Sequence, residues 1–163
     1  MIKSLFLFIT VFFVTSIHFI GFSQNKPVYL ELKASALFND VPTANYSILV
    51  YENGILKDSI FAKKTKATNV SVESNKVYSI VFKKDNGVEK LVIVNTYLPR
   101  GIADLDQEPF KLEVELSPES SRVKQEFDDY PVAILIVSKK KKLLMASEDY
   151  FQLTHILKKV KKS

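Results

Sequence analysis

The sequence predicts an all-β protein: an antiparallel β-sandwich of seven to eight strands closed by a short C-terminal α-helix. Three observations carry this. Short segments alternate apolar and polar residues with a period of two; turn signals separate them every 8–12 residues; and only the final segment changes to a helical period. Such a rhythm of short strands suits two stacked sheets. No unit of 20–50 residues repeats, and the only low-complexity stretches are runs of lysine.

Residues 1–23 stand apart. A basic start at Lys3 leads into a nearly unbroken run of Leu, Phe, Ile and Val over 5–20, and Gly21 and Ser23 place small residues two apart. The run is shorter than the ~20 residues a membrane span needs and suits the core of a secretory leader cleaved before Gln24. The expected organisation is a leader at 1–23, a sandwich domain at 24–138 and a basic helical tail at 139–163, with the mature protein exported to a periplasm or cell surface.

Each strand has its own warrant. Val28, Leu30 and Leu32 alternate with Tyr29, Glu31 and Lys33; the turn Asn39-Asp40-Val41-Pro42 follows, then a strand over 46–51. Asn53-Gly54 is the strongest short hairpin signal because both residues tolerate positive φ, and 55–61 returns as its partner. A short strand is expected at 70–73. After the turn at Ser74-Asn75-Lys76, a strand over 77–83 draws its apolar contacts from Val77, Phe82 and either Ile80 or Val81. Asp85-Asn86-Gly87 turns the chain into 88–94. Beyond the long loop 95–109, Phe110, Leu112, Val114 and Leu116 alternate with Lys111, Glu113 and Glu115, the pattern of an antiparallel strand wetted on one face. The apolar run 132–137 reads as a strand buried on both faces or covered by the C-terminal segment. Leu153, Ile156, Leu157 and Val160 fall on one helical face, with Ser147 as N-cap, Glu148 and Asp149 in the first turn and lysines in the last.

The order of landmarks resembles exported bacterial domains of the carboxypeptidase-regulatory-like, or transthyretin-like, family. The pieces are Val50-Tyr51-Glu52-Asn53-Gly54, Tyr78-Ser79-Ile80-Val81-Phe82-Lys83, and Lys90 through Thr96. Phe110 through Leu116 and Pro131-Val132-Ala133-Ile134 complete the set. The family's opening glycine-containing strand and its turn before the fourth strand are only approximated, by Lys33-Ala34-Ser35-Ala36 and Lys66-Ala67-Thr68-Asn69. The resemblance implies a Greek-key, transthyretin-like sandwich, a place in the cell envelope and a non-catalytic role.

Composition narrows the chemistry. Cysteine is absent, which removes thiol nucleophiles, Cys-based zinc sites and a lipidated cysteine anchor. The net charge of +5 is unevenly placed: residues 24–138 hold fourteen Lys and Arg against sixteen Asp and Glu, whereas 139–163 hold eight Lys against Glu148 and Asp149. An acidic body in an exported chain, with no aromatic residues among the basic ones, argues against nucleic acid.

Several residues are of types that carry chemistry. His155 is the one histidine after the leader and sits among lysines; a metal centre or catalytic triad needs convergent partners, so a solvated or capping role is expected. Asp104, Asp106 and Glu108 echo the start of a calcium loop without its central glycine and distal glutamate. As a glycosidase pair they would lack an aromatic platform, and Trp is absent. Lys139, Lys140, Lys158 and Lys159 belong to two clusters suited to anionic lipid head groups; the plainer reading is a lysine-guarded turn plus a helix end stabilised by positive charge. Asn45-Tyr46-Ser47 and Asn69-Val70-Ser71 match the glycosylation triplet, which occurs often by chance. Tyr29, Tyr46, Tyr51, Tyr78 and Phe82 are expected to pack in the core or across strands. No catalytic, cofactor or metal-binding residue is assigned. The expected function is protein or glycan binding or structural support through the loops 95–109 and 117–129; the alternative is membrane-surface association through the basic end.

Overall fold

A computed structural model describes residues 27–85, 87–102, 105, 108–117, 130–150 and 152. Ten strands run through them: β1 (Tyr29–Phe38), β2 (Val41–Pro42), β3 (Tyr46–Glu52), β4 (Ile55–Ala62), β5 (Thr68–Glu73), β6 (Val77–Lys84), β7 (Glu89–Asn95), β8 (Phe110–Glu115), β9 (Ala133–Val137) and β10 (Leu144–Ala146). The all-β expectation holds, with more strands than the seven or eight expected, because Val41-Pro42 and 144–146 also enter ladders.

The strands form two sheets. In the first, β1 is central and pairs with all three others, with β8 along 32–37, β5 along 29–34 and β2 at 37–38; the second runs β10-β9-β7-β6-β3-β4. The inner faces of both contribute to one hydrophobic core. Leu30 pairs with Val72 and Leu32 with Val70, while Ala34 and Ala36 lie beside Leu112 and Val114. In the second sheet Ile48 lies between Ile60 and Phe82, Ile80 between Val50 and Val92, and Val94 beside Leu135. Side chains alternate with period two, so each of these registers places a whole row of apolar residues on the core side.

Two turn readings are met by the backbone. Asn53 and Gly54 have φ of 51° and 78°, as a type I′ turn requires, and Asn39 and Asp40 share this geometry at 51° and 61°. Ser147 accepts the N–H of Tyr150 at 3.4 Å, the N-cap geometry, and residues 148–150 and 152 are helical. The apolar stripe at Leu153, Ile156, Leu157 and Val160 lies outside the described residues.

Other readings are corrected. The sheets are mixed: β8 runs parallel to β1, and β9 parallel to β7. Parallel neighbours need a long crossover. Here the chain leaves β7, supplies β8 to the other sheet and returns as β9. The run 132–137 is not buried on both faces, since Leu135 and Val137 point inward and Ile136 is exposed. Val77 is 38% exposed because Tyr78, Ile80 and Phe82 occupy the inner face of β6, and Tyr29 is 58% exposed on the outer face of β1. Strand pairing also continues past residue 138: Lys139 and Lys140 sit in the turn between β9 and β10.

Candidate interaction surface

Two buried tyrosines tie the layers together. Tyr46 on β3 stacks on Phe82, with ring centroids 6.3 Å apart, and its hydroxyl bonds to the backbone of Ala36 in the opposite sheet. Tyr78 on β6 accepts the N–H of Glu73 on β5 at 3.1 Å. Burial pushes both hydroxyl pKa values up. A buried phenol needs a partner for its polar end, and here each partner is the other sheet.

Around Tyr78 the charged residues converge. The end of β3 supplies Glu52, the end of β5 supplies Glu73, and the turn before β6 supplies Lys76, whose Nζ lies 3.2 Å from Glu52 and 2.7 Å from Glu73. Lys57 of β4 lies 3.4 Å from Glu52. The hydrogen bond from Lys76 is the main reason the Glu52 carboxyl is held below the usual range, while the bonds to Glu73 and Glu52 push the Lys76 amine up. Through Lys76 the carboxylates of Glu52 and Glu73 tie the end of β3 to the end of β5, one strand from each sheet. Beside them opens a groove of about 380 Å³, also lined by Tyr29 of β1, Asp58 of β4 and Ser71 of β5.

Below the same turn, Thr96 is fully buried. Its Oγ1 lies 2.7 and 2.9 Å from the carbonyls of Glu73 and Lys76, one of which takes its proton, and it accepts the N–H of Lys76 at 3.0 Å. Asn75 Oδ1 accepts the N–H of Leu98 at 3.2 Å. The start of the 95–109 loop is therefore fastened to the sheets. At the opposite end of β1, Glu115 accepts the N–H groups of Asn39 at 3.1 Å, Asp40 at 3.3 Å and Ser117 at 2.9 Å, together with the Ser117 hydroxyl. That hydroxyl is the largest cause of its lowered pKa. Next to it lies a cleft of about 230 Å³ between β8 and the start of β9, bordered by Lys90, Glu113 and Val132.

Asp104, Asp106, His155, Lys158 and Lys159 lie outside the described residues. Glu108 is exposed, and Lys139 through Lys142 are all exposed in the β9–β10 turn. Among the described residues no three His, Cys, Asp or Glu side chains group as metal ligands. The open apolar surface falls on β4 instead: Ile55, Leu56 and Phe61 are 63%, 50% and 50% exposed. The residue pattern did not single out the Glu52–Lys76–Glu73 clamp, which exists only once the sheets are stacked. Thr96 was visible as the closing residue of the Lys90 to Thr96 motif, and its role was not. No family model, curated protein or solved structure matches the chain.

Proposed function

We propose that this is a non-catalytic exported protein of the bacterial cell envelope, a transthyretin-like Greek-key β-sandwich that acts by binding a protein or glycan or by structural support. The exposed edge of β4 carries the reading. It presents apolar side chains to solvent, whereas the buried polar groups around Tyr78 and Thr96 are occupied with holding the layers together. Edges and loops on a rigid frame are where such proteins make their contacts. The leader-like segment at 1–23 and the ordered strand motifs support the address. In vivo cross-linking of the full chain in its own envelope tests the function: one reproducible partner, lost when Phe61 becomes Glu, is expected, and a chain that cross-links to nothing above background sinks the reading. Intact-mass measurement of the exported protein tests the leader, with a start at Gln24 expected.

A second reading has its own support. Lys139, Lys140, Lys141 and Lys142 are exposed together at one hairpin tip, and with Lys158 and Lys159 they would attract an anionic lipid surface. Salt-sensitive co-sedimentation with vesicles containing phosphatidylglycerol, lost on replacing 139–142 with Gln, is the expected result for that reading. Sedimentation equal with neutral vesicles ends it.

A further inference from the structure

Among the described residues β4 pairs only with β3, and its other side is open. Two observations establish which backbone groups face outward. The Ala62 carbonyl accepts the N–H of Asn45, on the β3 side. Backbone groups alternate in direction along a strand, so Ile60 shares that direction while Ser59 and Phe61 turn their N–H and C=O to the open edge. The Ser59 N–H agrees independently: it is taken at 2.8 Å by the carboxylate of its neighbour Asp58. The β-bulge opposite Val50 and Tyr51, where Lys57 is the extra residue, ends the regular edge, leaving 58–62 as the usable stretch.

Charge selects the occupant. Residues 55–66 hold Lys57, Lys63, Lys64 and Lys66 against the single Asp58, and the last three lysines are exposed beyond the end of β4. Lysines of this kind guard an edge against a second copy of itself, because two such edges repel. The same field attracts an acidic strand. The geometry points to β4 as a site of strand addition for an extended, acidic peptide segment. Such a segment pairs with the backbone of Ser59 and Phe61, lays an apolar side chain beside Phe61, and sets carboxylates against Lys63 and Lys64. Docking displaces the Asp58 carboxylate from the Ser59 N–H, so Asp58 acts as a built-in competitor. This rests on the binding reading above and names its partner's chemistry.

The test uses the full chain as recovered from the expressing cell and three labelled eight-residue peptides: alternating Glu and Val, alternating Lys and Val, and the acidic peptide interrupted by proline. Fluorescence anisotropy reads affinity, and hydrogen exchange reads location. Only the unbroken acidic peptide is expected to bind, with protection confined to 58–62 and affinity falling about tenfold between 50 and 300 mM salt. Ser59→Pro removes an outward donor while sparing the ladder to β3, and is expected to weaken binding about tenfold or more. Lys63→Glu with Lys64→Glu, on exposed side chains outside the ladder, is expected to do the same should the proline variant misfold. Asp58→Ala is expected to tighten binding severalfold. Equal binding of the basic peptide, protection elsewhere, or wild-type affinity in the double lysine variant overturns the proposal. An envelope partner cross-linked equally by the wild-type chain and by a folded Ser59→Pro variant overturns strand addition and leaves the broader binding reading standing.

Discussion

Thr96 shows how much a single buried hydroxyl holds in this protein. Its Oγ1 accepts the N–H of Lys76 and gives its one proton to the carbonyl of Glu73 or of Lys76, in a site with no access to water. Thr96→Val keeps the shape and the backbone bond from the residue 96 N–H to the Lys76 carbonyl, but takes the hydroxyl away from the Lys76 N–H and the Glu73 carbonyl. The expected loss is about 1–3 kcal/mol, read as a lower urea midpoint with an unchanged slope. Glu52 and Glu115 set a pH dependence. Each carboxyl has its pKa lowered from the ordinary 4.5 by hydrogen bonds in the folded state, so on acidification the unfolded chain binds more protons. Their stabilisation is complete well above 4.5 and is lost as pH falls through their lowered values. Lys76, raised from 10.5, contributes fully below that value and loses its contribution at more alkaline pH. Urea midpoints at pH 7 and pH 3 are expected to differ less in Glu52→Gln/Glu115→Gln than in the wild type. An equal drop in both proteins would assign acid sensitivity to other groups.

At the scale of the element, hairpin turns and strand phase were legible because they depend on local chemistry. Asn53-Gly54 requires positive φ at both positions, and it takes them. A Cβ on Gly54 would meet nothing within 4 Å, so Gly54→Ala isolates the backbone term. Its expected cost is about 1–2 kcal/mol, checked by thermal unfolding against an Asn53→Gly control that relieves the same strain. Strand β6 shows the limit of a local reading: Val77, Ile80, Val81 and Phe82 are all apolar, and nothing among them says which phase faces in. Tyr78 decides it, because its hydroxyl finds the Glu73 N–H only from the inner face. The perfect alternation of Phe110 through Leu116 identified the strand and its buried face, yet left its direction undetermined. Alternation is the same whether the neighbour runs parallel or antiparallel.

For the whole molecule, stability rests on the shared interior of two sheets without a disulfide. Phe82 is fully buried and stacks on Tyr46. Phe82→Ala is expected to cost about 3–5 kcal/mol, a large part of the 5–15 kcal/mol typical of a domain. Calorimetry would show a strongly lowered midpoint, and Phe82→Leu a much smaller change. At this scale the chain alone determined the all-β class, the positions of most strands, the buried faces of β1 and β8 and the hairpin turns, since these follow from side-chain period and residue-level φ preferences. Tertiary structure alone decided which strands are neighbours, that β8 and β9 run parallel to theirs, and that Glu52, Lys76 and Glu73 meet. It also decided that, among the described residues, β4 pairs on one side only. Those outcomes depend on contacts between residues far apart in the chain, and even an alternating strand such as β8 records which side is buried without recording what buries it.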